Sequence, residues 1–447
     1  MPEPIISVSG LRGIVGESLT PEIAIRYACA FAGQLEDGPI VVSRDGRATG
    51  SMLAAALESA LAAVGRDVID AGIAATPTTG ILVRQHRAAG GIQISASHNP
   101  PQYNGLKLFS SVGRVIPADA GQRVVEGYWE FAPRWATHDR IGRRRLLSET
   151  LSEHWSLIQE TLDVAAIRQR RFKVLLDSNH GAGSLLGTHL LSQLGCHVSV
   201  LGGEPDGQFE HVPEPTAENL AGVLQRVKTA GADVGFCQDP DADRLAIIDE
   251  SGRYIGEEYT LAICVDHELR GRKGPIVTNC STSRMSEDLA QKYGVPFFRA
   301  AVGEANVVDV MLDKKAVLGG EGNGGVIDPR VGLVRDSFVG MAMVLAAMAA
   351  RQAKVSSLAD ELPRYEIVKT KVTLPREKIA SALAAVGKHF SDATADRMDG
   401  LRLDWPGKWL LVRSSNTEPI VRAVAEAPTR AEAERLCNEA GRAMLSA

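Results

Sequence analysis

One pattern occurs three times along the chain. The segments "PIVVSRDGRATGSMLAAALESALAAVGRDVIDAG" (39–72), "FKVLLDSNHGAGSLLGTHLLSQLGCHVSVLGG" (172–203) and "PIVTNCSTSRMSEDLAQKYGVPFFRAAVG" (275–303) share one plan. Each opens on a short β-branched run and passes through a polar loop rich in Gly, Ser, Thr or Asn. Each then continues as a helical stretch with Gly near its end and finishes in a second β-like run. That is a βαβ unit, which imposes parallel pairing and a right-handed crossover. Each unit travels on to another apolar run that stops in an unusual loop. "GGIQI" leads to "SASHNP", "ADVGFCQ" to "DPDADR", and "KAVLGG" to "EGNGG". From first strand to loop the three copies run 40–97, 174–239 and 276–321. Open α/β sheets bind ligands outside the carboxyl ends of their strands, so true repetition turns all three loops toward one cleft. Chance reuse of a common pattern is the plainer explanation of the pattern alone. The chemistry of the loops has to decide.

After about residue 363 the style changes. "YEIVKTKVTLP" and "GLRLDWPGKWLLVRSSNTEPIVRAVAEA" read as strands, and 376–390 and 429–445 as helices. The expected architecture is α/β: three similar α/β domains with mixed sheets plus a smaller C-terminal α+β domain around a central cleft. The expected divisions are 1–150, 151–253, 254–365 and 366–447, four units from 447 residues.

Composition removes several classes of function. A net charge of −5, with no basic run longer than Arg143-Arg144-Arg145, argues against a nucleic-acid surface. The 6 cysteines are scattered without a C-x-x-C pair, which fits reduced thiols in a cytoplasmic protein. Pro2 and Pro4 break any apolar leader. The most apolar segment, 338–350, is shorter than the roughly 20 residues of a membrane span and reads as a buried helix.

The loops carry the chemistry. In "DPDADR", Asp239, Asp241 and Asp243 alternate, and three close carboxylates repel unless a cation sits between them. Hard oxygen ligands on a short loop suit Mg²⁺. An EF-hand is a rival reading, since Glu250 falls at position 12 of such a loop, but Arg244 occupies the required glycine position and strand-like runs flank it. "RSSNTEP" gathers Arg413, Ser415, Asn416 and Thr417, a set of guanidinium, hydroxyls and amides suited to phosphate. "GGEGNGG" offers Glu321 and Asn323 from a compact backbone, spaced to hold neighbouring sugar hydroxyls. An ordinary turn remains the alternative for each of these last two taken singly. In "SASHNP", Ser97 lacks the G-x-S-x-G elbow of acyl transfer. Beside a metal loop and a phosphate loop it fits phosphoryl transfer, with His98 and Lys107 lining the site.

"SASHNPPQYNGLK", "DPDADR", "GEGNG" and "RSSNTEP", in that order over nearly the whole chain, resemble the α-D-phosphohexomutases. The resemblance implies a cytoplasmic enzyme that interconverts hexose 6-phosphate and 1-phosphate through a phosphoserine at Ser97 and a bisphosphorylated sugar. It implies Mg²⁺ held by Asp239, Asp241 and Asp243 with the phosphoserine, and a hexose 1,6-bisphosphate activator. By similarity Glu321 and Asn323 grip sugar hydroxyls. Arg413, Ser415, Asn416 and Thr417 take the non-transferring phosphate, and Arg12 and Arg244 line the cleft. The expected partner is a small-molecule sugar phosphate, with no nucleic acid or membrane, in a monomer or homodimer.

Two departures stand out. Many relatives read G-E-x-S-G-H at the sugar loop, but here Asn323-Gly324-Gly325 ends it, which leaves Lys107 or His98 as the general base. Pro240 and Ala242 replace the glycines of D-G-D-G-D, with all three carboxylates kept. "ISASHNP" and Glu304 in "AVGEANV" look most like phosphoglucosamine mutases, and a carboxylate at Glu304 would suit a cationic 2-amino sugar. Phosphomannomutase/phosphoglucomutase is the alternative. A metal-dependent sugar phosphatase and a sugar-phosphate sensor stand further back.

Overall fold

The computed structural model describes residues 4–7, 10–414 and 420–446. Its strands form four sheets. In the first, strand Ile40–Arg44 lies between Val68–Ile73 and Gly90–Ile94, parallel to both, and Tyr103–Ser110 returns antiparallel beside Gly90–Ile94. In the second, Lys173–Asp177 lies between His197–Leu201 and Val234–Gln238, and Leu245–Asp249 returns antiparallel. In the third, Ile276–Asn279 lies between Phe297–Ala300 and Leu318–Glu321, and Gly325–Ile327 returns antiparallel. The spatial order of these four strands is the same each time. The pattern in the sequence is therefore a repeated fold. Each unusual loop is the turn between the third strand and the fourth.

The first sheet is extended by Ile5–Ser7 and Gly10–Ile14 on one edge and by Arg144–Leu146 on the other. The fourth sheet is antiparallel, ordered Glu366–Thr373, Ile420–Ala427, Lys408–Ser414, Leu401–Trp405 and Thr394–Asp396. Helices Ile379–His389 and Arg430–Leu445 pack on one of its faces through Ala382, Val386, Leu436 and Ala440.

The largest apolar cluster runs without a break from Ile81 of the first domain through Trp155 and Phe236 of the second to Phe338 of the third. Its spine is helix Ser337–Arg351, the most apolar segment of the sequence. Asp336 starts this helix by accepting the Phe338 and Val339 N–H groups, so the apolar run enters its turns with two of its first donors satisfied. The C-terminal domain keeps a core of its own, built from residues 374–444. All six cysteines are free and none is exposed. Among the described residues, no helix is long and apolar enough to cross a membrane.

Candidate active site

The three turns converge, and a fourth wall completes them. A cleft of about 1120 Å³ is lined by Arg12, Ser97, His98 and Lys107 of the first domain and by Arg244 of the second. Glu304, Glu321, Asn323 and Arg335 of the third and Lys369, Lys371, Arg413 and Arg422 of the fourth line it too. Every domain therefore contributes charged groups to one cavity.

Ser97 is held in a left-handed backbone conformation, φ +49°, where a non-glycine residue costs about 1–2 kcal/mol. Arg47 offsets that cost. This fully buried guanidinium donates to the carbonyls of Ser97, Asn99, Pro100 and Tyr103 at 2.6 to 3.1 Å and pairs with Asp45. Asp45 also accepts the Ser95 hydroxyl, and the Ser95 oxygen accepts the Ser97 N–H. The loop is thus clamped from inside, and the Ser97 hydroxyl is left to donate across the domain boundary to Asp239 Oδ2 at 2.6 Å. Arg12, on strand Gly10–Ile14, donates to Asn99 Oδ1 at 2.9 Å.

Asp239, Asp241 and Asp243 are fully buried, and one carboxylate oxygen from each falls within 4.8 Å of the others. Thr76 donates to Asp241 Oδ2, and Lys107 bridges Asp241 and Asp243 at 3.3 and 2.7 Å. Asp241 Oδ1 and Asp243 Oδ1 accept no hydrogen bond. Burial, then the neighbouring Asp241 and Asp243, push Asp239 well above the usual carboxylate range. Two orphaned buried oxygens beside a serine hydroxyl fit a small divalent cation. Ala242 takes the glycine position of the loop at φ +57°, so the departure leaves local strain while the three carboxylates still converge.

Glu321 ends strand Leu318–Glu321 and is saturated. It accepts from Asn279 Nδ2 at 2.7 Å, from the Gly303 N–H at 3.1 Å and from Arg335 Nη1 at 2.6 Å. Asn323 leans on it at 3.4 Å. Gly324, at φ +76°, lies against the metal-loop strand so closely that a Cβ would sit 2.0 Å from the Leu245 carbonyl oxygen. Only glycine lets the turn after Glu321 and the strand that follows the three aspartates meet.

Arg244 donates its N–H to Asp239 Oδ1 and stands 3.9 Å from Asp243. Glu304 begins helix Glu304–Lys314 and is occupied by Arg335, whose N–H it accepts at 2.8 Å and whose Nε lies 3.6 Å away. Arg413 pairs with Asp399 at 3.2 Å. Ser415, Asn416 and Thr417 lie outside the described residues.

Sequence reading missed Arg47 and Arg335, which tie the loops together. Neither belongs to a motif. Arg335 sits with Asp336 inside the apolar run "VGLVRDSFVG", and two charged residues interrupting such a run were the available signal.

The two expected bases differ in charge. Burial, then Arg244 and Arg12, push His98 down to about 3, so it is neutral, with Nδ1 3.3 Å from the Ser97 hydroxyl. Burial opposes the charge on Lys107, but Asp243, Asp241 and Glu304 outweigh it and raise its pKa, so Lys107 is a cationic donor. Folded His98 stays neutral while the unfolded chain takes up a proton near 6.5, so its contribution to stability is full above that pH and is lost as pH falls from 6.5 toward 3. His98→Gln is expected to flatten the decline in unfolding free energy, by up to about 1.4 kcal/mol per pH unit, in urea titrations between roughly pH 6 and 4. An unchanged slope would remove His98 as its source.

A buried serine, three carboxylates with orphaned oxygens and a cation-lined cleft define a phosphoryl-transfer enzyme for sugar phosphates. Four family descriptions match in order. "Phosphoglucomutase/phosphomannomutase, alpha/beta/alpha domain I" covers residues 5–132, domain II 152–252, domain III 257–365 and the C-terminal domain 370–442. The chain belongs to this family of phosphohexomutases. A phosphoglucomutase/phosphomannomutase of Thermococcus kodakarensis is 39% identical over 433 residues, 95% of this chain and 94% of that one. A "Probable phosphoglucosamine mutase" of Thermococcus gammatolerans is 35% identical over 441 residues, 97% of this chain and 96% of that one. The crystal structure of a phosphoglucomutase/phosphomannomutase family protein from Burkholderia thailandensis superposes with a TM-score of 0.87 at 28% identity, covering 99% of this chain and 98% of that one.

Proposed function

We propose that Ser97 carries the phosphoryl group of a hexose phosphate mutase. The observation that supports this most is the Ser97 hydroxyl itself, 2.6 Å from Asp239 in a loop whose other polar groups are already engaged. In the resting enzyme the serine bears a phosphoryl group, acquired from a hexose 1,6-bisphosphate. A sugar monophosphate enters with its phosphate toward Arg413 and its free hydroxyl toward Ser97. Neutral His98 would take the proton of that hydroxyl, and Arg12, Lys107 and Arg244 would face the transferring oxygens. The bisphosphorylated sugar then reverses in the cleft, and its other phosphate returns to the serine.

Asp239, Asp241 and Asp243 would hold Mg²⁺, which neutralises phosphoryl oxygens when bound. Chelation is expected to abolish turnover and added Mg²⁺ to restore it. Full activity after exhaustive chelation, or in Asp241→Asn, removes the metal from the reading.

For the substrate pair we propose glucosamine 6-phosphate and glucosamine 1-phosphate, with Glu304 on the cleft wall as the group that senses the amine. One observation favours a second reading. Arg335 already offsets the charge of Glu304, which leaves less of it for an ammonium group and brings glucose or mannose phosphates forward. A panel of hexose 6-phosphates incubated with enzyme, Mg²⁺ and a trace of bisphosphate, followed by phosphorus NMR, separates the two. A tenfold preference for glucose or mannose phosphate, roughly 1.4 kcal/mol in transition-state binding, overturns the amino sugar. Release of free phosphate without isomerisation overturns the mutase.

A further inference from the structure

A hexose in the cleft presents several hydroxyls, and each needs a protein group with a hydrogen bond still to make. The expected groups of the third domain have little left to give. Glu321 already accepts from Asn279, Gly303, Asn323 and Arg335. Glu304 accepts the Arg335 N–H and faces its guanidinium. Asn323 gives an N–H to Glu321 and takes one from Gly325. Glu258 does not fit this pattern. It lies in the first turn of helix Glu257–Gly271 and lines the cleft. Its Oε2 accepts the Ser283 N–H at 2.9 Å, while Oε1 accepts no hydrogen bond from the described residues. It forms no ion pair among them, and Lys369 of the fourth domain acts on its charge from further away than an ion pair.

The carboxyl also lies against the sugar loop. A Cβ on Gly322 would stand 2.1 Å from Oε1 and 2.3 Å from Oε2. A bare glycine between Glu321 and Asn323 is what admits the carboxyl there. Burial pushes Glu258 up to about 8, against the pull of the Ser283 N–H and Lys369, so its carboxyl is mostly neutral at neutral pH. Ser283 occupies Oε2, which leaves the proton for Oε1. That oxygen can then donate and accept at one point, as a sugar hydroxyl does.

We propose that Glu258 is a specificity-determining residue, whose free carboxyl oxygen holds one ring hydroxyl of the hexose phosphate beside Gly322. The role rests on the mutase reading and adds to it a contact that Glu321 and Glu304 are too occupied to make. The rival account is structural: an acid in the first turn of a helix suits the helix N-terminus, and here it also ties down Ser283. A structural acid affects every sugar alike, whereas a contact to one hydroxyl affects one position of the ring.

The test ranks glucose, mannose and glucosamine 6-phosphates with the full-length wild type, Mg²⁺ and a trace of bisphosphate. The fastest is then compared with analogues that lack one ring hydroxyl each, among positions 2, 3 and 4. In wild type one of these losses is expected to lower kcat/KM by about tenfold or more. In Glu258→Ala the parent sugar is expected to fall by a similar factor and that analogue to show no further loss, because the hydroxyl no longer has its partner. Glu258→Gln is expected to recover most of the discrimination, since its amide also donates and accepts. Should Glu258→Ala fold poorly, Glu258→Met keeps the length of the side chain and makes the same comparison. Equal discrimination in wild type and variant at every position overturns the contact and leaves the mutase standing. Wild type that isomerises none of the sugars overturns the mutase reading first and the contact with it.

Discussion

Ser97→Ala is expected to lower kcat by roughly three orders of magnitude or more, as loss of a covalent nucleophile does. Intact-protein mass spectrometry is expected to find a phosphate on wild type that the variant lacks. The neighbouring hydroxyl cannot substitute, because Ser95 spends its proton on Asp45 and its oxygen on the Ser97 N–H. The fold should survive, since alanine meets the same left-handed backbone as serine and the Arg47 contacts all go to carbonyls. The loss of turnover is therefore chemical, and circular dichroism should show an unchanged fold. Retention of more than about a tenth of the activity would falsify the assignment.

Arg335→Met is expected to cost about 3–5 kcal/mol of stability in urea unfolding, the range for a buried ion pair with one partner removed. The guanidinium reaches Asp243 and Glu321 at 2.6 Å each and Glu304 at 3.6 Å, all three buried. Without it Asp243 and Glu304 lean on Lys107, and Glu321 keeps only Asn279, Asn323, the Gly303 N–H and the more distant Arg244. The three carboxylates must then take up protons or admit water, and either choice loosens the contact between the second and third domains. Arg335→Lys should recover only part of the loss, because an ammonium cannot fork to two carboxylates. A cost below about 1 kcal/mol in Arg335→Met would mean that the metal loop carries its own charge without this arginine.

The repeat was legible because it is written in local terms. Apolar runs, loop residues and glycines recur at comparable spacing, and each copy folds into the same strand order. That Ser97, the three aspartates and Glu321 would come near one another could be read for a related reason, since each lies at or just past the end of a strand, where ligand-facing loops are found. Arg47 and Arg335 were hidden because their partners are distant in sequence. Arg47 clamps a loop 50 residues on, and Arg335 reaches an aspartate 92 residues back. Nothing local marks Arg47 as an arginine that will be buried, and Arg335 is marked only by its place in an apolar run. The role of Glu304 was visible only by halves. Its place at a helix start could be read from the sequence, but its pairing with Arg335 depends on how two segments of the third domain pack.

The arrangement of cores sets how the molecule comes apart. The second and third domains share one continuous apolar cluster, so neither can open without exposing the surface of the other, while the first joins it through Ala75 and Ile81 and keeps a further core of its own. The fourth has a separate core and meets the third through a small cluster around Trp409 and Cys280. Cooperative units follow shared cores, and a transition with more than one unit has no single midpoint. The C-terminal domain is thus a foldon of its own, able to melt and reform while the rest stays native. Heating is therefore expected to take this chain apart in stages, and calorimetry is expected to need more than one transition to describe it.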